Sequence, residues 1–178
     1  MIYGSGFGLS RFDLHSGQLS VWLKPSDYLW YSYAFSDDIR LFAFTPPDLS
    51  RRITIRDLIS GKESFIDFKE KYSVLEFRWT PDSSRLVIFT EEYANNPLEN
   101  GFSVFVYSLR NDALIKLVDK NNLNFTFPTE DHIEPSMTIS DLTNDTLELS
   151  DIYDQNKYQI NIRSGDIVTI LEASTPVP

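Results

Sequence analysis

The sequence predicts an all-β fold assembled from repeated four-stranded antiparallel units, and three observations carry that expectation. Four short polar turns of one type recur along the 178 residues, and a second turn type alternates with them. The stretches between turns are rich in aromatic and β-branched residues, with 13 Phe and 9 Tyr. Such side chains suit a pleated, half-buried surface better than a helix.

The first turn type reads Phe12-Asp13-Leu14-His15-Ser16-Gly17-Gln18-Leu19, then Arg56-Asp57-Leu58-Ile59-Ser60-Gly61-Lys62-Glu63, then Tyr107-Ser108-Leu109-Arg110-Asn111-Asp112-Ala113-Leu114, and last Ile160-Asn161-Ile162-Arg163-Ser164-Gly165-Asp166-Ile167. Each copy carries Ser-Gly or Asn-Asp between two strand ends. Turns of this kind need a positive φ, which Gly, Asn and Asp adopt at little steric cost. Four tight hairpins are expected.

The second type appears at Ala34-Phe35-Ser36-Asp37-Asp38-Ile39-Arg40-Leu41, at Arg78-Trp79-Thr80-Pro81-Asp82-Ser83-Ser84-Arg85-Leu86, and in a weaker copy from Thr138 to Leu149. Alternating the two hairpins gives units of four strands, here a, b, c and d. The units repeat at roughly 45 to 55 residues, a spacing that points to propellers or solenoids.

Trp79-Thr80-Pro81-Asp82-Ser83-Ser84-Arg85-Leu86 resembles the blade motif of TolB-like propellers and of the propeller domains of prolyl-oligopeptidase-type peptidases. In that motif an aromatic residue, Ser/Thr-Pro-Asp-Gly and a basic residue precede an apolar strand. Ser83 or Ser84 stands where the family usually has Gly, and the Ser36-Asp37-Asp38 copy lacks the Pro. No Trp-Asp dipeptide occurs, so propellers built on that repeat are less similar. As blade pattern, the resemblance spans about Leu9 to Leu171 and concerns the fold, which serves many unrelated functions.

The resemblance implies a β-propeller-like array. A c and d pair at Leu9 to Leu23, followed by three full units, makes about three and a half four-stranded blades. Closed propellers have about four to eight. Three arrangements answer the shortfall: a piece of a longer protein, assembly of two or more chains, or a small or open propeller. Open blade edges invite self-association or a protein partner. Residues 1–172 are read as the blade domain and 173–178, with Pro176 and Pro178, as a tail or linker.

Leu86-Val87-Ile88-Phe89 and Val104-Phe105-Val106-Tyr107 are continuous apolar runs, expected of strands covered on both faces, so their unit is placed centrally. Tyr158, Ile160 and Ile162 alternate with Gln159, Asn161 and Arg163, which predicts one wet face for the last unit. No unit stands alone. Ordering its backbone costs about 1–2 kcal/mol per residue, against about 1.5–3 kcal/mol returned by each buried large apolar side chain.

The net charge of −10 disfavours nucleic acid and anionic lipid as partners. With no Cys, disulfides and thiolate chemistry are excluded. No apolar run reaches the roughly 18 residues of a membrane-spanning helix. The first residues lack the layout of a signal peptide, so the expectation is a cytoplasmic protein or an excised mature domain.

Two connections exceed what the repeat needs: Glu91 to Gly101, between strands b and c of the third unit, and Asp119 to Pro135, between that unit and the next. Connections of these two kinds emerge on one face of an up-and-down blade. Glu91, Glu92, Tyr93, Asp131, His132 and Glu134 are therefore expected to form an acidic and aromatic patch for a protein segment, sugar or cation.

No metal or cofactor is expected. In Glu130-Asp131-His132-Ile133-Glu134 adjacent side chains point in opposite directions, and the Asp and Asn residues from Asp141 to Asp154 lack a calcium-loop pattern. Gly4-Ser5-Gly6-Phe7-Gly8 lacks the helix and Lys of a phosphate loop and reads as a lead-in or a strand bend. His15 and His132 are the only histidines, and no nucleophile elbow is present. The expected function is a non-catalytic binding or scaffolding domain. The alternatives are a metal-dependent propeller hydrolase or lactonase, and the accessory propeller of a multidomain peptidase.

Overall fold

A computed structural model describes residues 2–5, 8–23, 32–46, 51–94, 100–119, 122, 137–151 and 156–171. Among them are 15 strands and no helix: β1 (Ile2–Ser5), β2 (Gly8–Phe12), β3 (Leu19–Leu23), β4 (Tyr33–Phe35), β5 (Leu41–Phe44), β6 (Arg52–Asp57), β7 (Glu63–Asp67), β8 (Tyr72–Trp79), β9 (Arg85–Glu92), β10 (Gly101–Ser108), β11 (Ala113–Val118), β12 (Met137–Leu142), β13 (Thr146–Asp151), β14 (Asn156–Asn161) and β15 (Ile167–Leu171). They form four antiparallel sheets in chain order, β1-β2-β3, β4-β5-β6-β7, β8-β9-β10-β11 and β12-β13-β14-β15. We call these blades 1 to 4.

Blade 1 carries one strand more than the c and d pair read from the sequence. β1 pairs with β2, with Gly4 opposite Leu9 and Ser5 opposite Gly8, so Gly4, Ser5 and Gly8 belong to strands rather than to a lead-in. By the repeat, β1, β2 and β3 are strands b, c and d. The tail at 173–178 lies outside the described residues.

The aligned turns sit in equivalent surroundings. Asp13, Asp57 and Asn161 each accept, through Oδ1, the backbone N–H groups two and three residues further on. The N–H of Gly17, Gly61 and Gly165 donates to the carbonyls of the same three residues. Those glycines have φ of 67°, 72° and 79°, and Asp112, at the matching place in the shorter third turn, has φ 53°. Its carboxylate accepts the Tyr107 hydroxyl at 2.5 Å, and burial together with Asp112 pushes that phenol up to about 12.

The a–b turns match in the same way. Ser36 Oγ donates to Asp38 Oδ1 as Thr80 Oγ1 does to Asp82 Oδ1, and the same hydroxyls accept the N–H of Leu41 and Arg85. Ser83 (φ 57°) and Ile39 (φ 55°) occupy the position where the blade motif has Gly.

Blade 3 is covered on both faces, as its unbroken apolar runs predict. Leu86, Ile88, Phe105 and Tyr107 pack with Ile53, Ile55 and Ile66 of blade 2. Val87, Phe89, Val104 and Val106 pack with Ile139, Leu147, Leu149, Tyr158, Ile160 and Ile162 of blade 4. Successive side chains of one strand thus enter two different cores, which is the period of two put to use on both sides. Gln159 and Arg163 on blade 4 are exposed, so the wet face is present.

The innermost strands meet directly, β4 against β8 and β8 against β12. Trp79 Nε1 donates to the Ala34 carbonyl at 3.3 Å, and Ser32 Oγ to the Leu75 carbonyl at 2.7 Å. The a strands of blades 2, 3 and 4 therefore lie side by side.

Candidate functional site

The rim at the ends of β8 to β11 holds three of the six residues picked out from the sequence. Glu92 closes β9 and is buried. Its Oε1 accepts Lys71 Nζ at 2.6 Å, while Oε2 accepts Ser103 Oγ at 2.8 Å and Lys116 Nζ at 3.1 Å. Lys71 precedes strand a, Glu92 ends b, Ser103 lies on c and Lys116 on d, so one carboxylate ties all four strands together. Both ammonium groups also lie over the Tyr72 ring, at 4.9 and 5.4 Å from its centroid. Tyr72 in turn meets Phe105 edge to face.

Burial opposes the charge on Glu92, but Lys71, Ser103 and Lys116 outweigh it and hold the carboxyl at about 2. The same contacts raise Lys71. For Lys116, burial works against the charge, and Tyr72 and Glu92 overcome it. These four side chains form a clamp across the blade, in which the Glu92 side chain is 10% exposed and both carboxylate oxygens accept hydrogen bonds.

Glu91 and Tyr93 point elsewhere. Glu92 shares its face with Ile88 and Thr90, which puts Glu91 on the opposite one. Tyr93 is 44% exposed and anchored by its backbone N–H to the Lys71 carbonyl at 2.7 Å. Its phenol is raised by burial and by its hydrogen bond with Glu91, with Ser73 and Arg51 pulling the other way. The rim therefore presents a half-exposed aromatic ring held beside a carboxylate. Asp131, His132 and Glu134, with most of the second long connection, lie outside the described residues.

Lys71, Ser103 and Lys116 are not legible as a group in the sequence because they come from the approach to β8, from β10 and from β11, and register alone brings them together. Alternation along β9 was the available signal, since it separates Glu91 from Glu92.

A second polar group lines the inner strands. Glu76 on β8 pairs with Arg78 at 2.7 Å and reaches blade 4, where its Oε2 accepts Thr138 Oγ1 at 3.2 Å and the Ile139 N–H at 3.1 Å. A cleft of about 300 Å³ lies between β4 and β8, lined by Ser32, Tyr33, Ala34, Glu76, Phe77 and Arg78. Among the described residues no cluster of three or more Asp, Glu or His is placed to hold a metal.

No family model matches the sequence, and no curated protein does. Solved structures do match in shape. An oligogalacturonate lyase in complex with manganese superposes with a TM-score of 0.65 at 10% identity, over 93% of this chain and 46% of that one. The oligogalacturonate lyase of Vibrio parahaemolyticus gives 0.63 at 11% identity, over 90% and 45%. A prolyl endopeptidase structure gives 0.59 at 16% identity, over 93% and 26%. This chain thus spans less than half the length of each. The likeness shows the fold: the four sheets are blades of a β-propeller.

Proposed function

We propose that this propeller array is a non-catalytic recognition domain that binds a protein segment at the rim of blade 3. The observation that supports it most is the division of labour between neighbouring residues: Glu92 stiffens the rim from inside, and Tyr93 with Glu91 stands on the stiffened edge. A rigid aromatic beside a carboxylate suits an apolar anchor next to a Lys or Arg, and the charge of −10 favours a basic segment.

The electrostatics support binding over acid–base chemistry. A general acid or base works best with a pKa near the operating pH. The carboxyls that shift among the described residues, Asp38, Asp57, Asp82 and Glu92, all shift downward, each held by hydrogen bonds or cations of the scaffold.

The test is selection of peptides from a random display library on the purified chain, followed by calorimetric titration of the selected sequence. Basic peptides whose affinity falls roughly tenfold or more on Tyr93→Ala support the reading. Peptides indifferent to both Tyr93→Ala and Glu91→Gln overturn it, as does release of unsaturated product from oligogalacturonate when Mn²⁺ is added.

A further inference from the structure

We infer that the cleft between β4 and β8 is a binding site for a small organic carboxylate, which takes the place that the Glu76 carboxylate fills at the next junction. The two junctions share one plan and differ in the side chains that span them. Between blades 3 and 4, Glu76 reaches from β8 to β12, where its Oε2 accepts the Ile139 N–H and the Thr138 hydroxyl, and Arg78 holds the other oxygen. Between blades 2 and 3, counting back from the a–b turns, Ser32 stands at the place of Glu76 and Ala34 at that of Arg78. Phe77, opposite Ile88, matches Ile139, opposite Leu149. With short side chains in place of the acid and its guanidinium partner, a space of about 300 Å³ is left between the strands.

The donor that a carboxylate needs faces this space. The Thr80 N–H donates to the Arg85 carbonyl, and bonded pairs alternate with non-bonded ones along an antiparallel ladder. Phe77 lies three residues before Thr80, so its N–H points away from β9, as that of Ile139 points away from β13 towards Glu76. The Phe77 side chain is 3% exposed, so the residue lines the cleft with its backbone.

Arg78, also in the lining, supplies the charge. It spends Nε and Nη2 on Glu76 at 2.8 and 2.7 Å, its side chain is 44% exposed, and its Nη1 bonds no group among the described residues. A guanidinium has five N–H donors and can serve a second carboxylate beside the first. The overall charge of −10 opposes any anion, and Arg78 offsets that opposition locally. A volume of about 300 Å³ is at the lower end for ligand pockets, which suits a small acid rather than a peptide. The site shares no residue with the rim at Tyr93.

The experiment titrates the isotope-labelled full chain with acetate, lactate and benzoate, each beside its amide, and follows the backbone amide resonances. The expected result is a saturable shift of the Phe77 amide with at least one of the acids, and roughly tenfold weaker binding of the matching amide. Arg78→Gln weakens binding of the acid to a similar degree. Ser32→Glu abolishes it, because the junction then carries a carboxylate of its own. Arg78→Gln decides the outcome alone if Ser32→Glu fails to fold. Shifts that do not saturate with any of the acids, saturable shifts that leave Phe77 unmoved, equal affinity for acid and amide, or binding that ignores Arg78→Gln overturns the inference.

Discussion

A Cβ on Gly165 would stand 2.8 Å from the Leu117 carbonyl oxygen, because the c–d turn of blade 4 is seated against the outer strand of blade 3. The equivalent glycines of blades 1 and 2, Gly17 and Gly61, have open space around that position. All three share a positive φ, so alanine strains each of them by about 1–2 kcal/mol. Only at Gly165 must backbone also give way. Gly165→Ala is expected to lower stability by about 3 kcal/mol or more, and Gly17→Ala and Gly61→Ala by about 1 kcal/mol, as read from urea midpoints.

Ile39 and Ser83 invert this argument. Both adopt left-handed backbone that favours glycine, and for a β-branched residue the strain is greater. Ile39 is 48% exposed, so little packing is lost with its side chain. Ile39→Gly is expected to raise stability by about 1 kcal/mol. Ser83 is different, because its Oγ accepts the Asp37 N–H across the junction of blades 2 and 3 at 3.1 Å. Relief of strain and loss of that bond offset one another, so Ser83→Gly should move the midpoint by no more than about 0.5 kcal/mol.

The Glu92 clamp predicts a defined acid limb. Its folded carboxyl lies at about 2, below the ordinary 4.5. A depressed value means that the ionised form stabilises the fold, fully above the unfolded value and progressively less as pH falls towards 2. With allowance for the partly exposed lysines, Glu92→Gln should cost about 2 kcal/mol at pH 7. Urea titrations at pH 7, 4 and 3 should show the gap between variant and parent closing with acid. A gap independent of pH would mean that shape, not charge, holds the rim.

The fold was legible because its signals are local. Ser16-Gly17, Ser60-Gly61 and Ser164-Gly165 announce left-handed turns within two residues, and Leu86 to Phe89 announces double burial within four. β1 was missed because Gly4 and Gly8 lower strand propensity, and only the pairing of Ser5 with Gly8 reveals the strand. The rim was half legible. Adjacent acids at Glu91 and Glu92 mark an unusual strand end, but their opposite fates depend on cations that lie just before strand a and on strand d. No spacing in the chain measures such a distance.

The junctions between blades make a final prediction about additivity. Pro81 has no N–H to offer, and the next residue takes over: the Asp82 N–H donates to Asn144 Oδ1 at 2.9 Å, while Arg85 Nη1 donates to the Asn144 carbonyl at 3.1 Å. Asn144→Ala leaves the Asp82 N–H without its partner but keeps the carbonyl contact, so a loss of about 1 kcal/mol is expected. Ser83→Ala removes the corresponding bond between blades 2 and 3 while leaving its own backbone strain in place, again at about 1 kcal/mol. The two bonds share no partner and belong to different junctions, so the double variant should equal the sum within about 0.5 kcal/mol. A larger discrepancy in urea midpoints would show that blade 3 transmits strain from one face to the other, and that its two cores act as one.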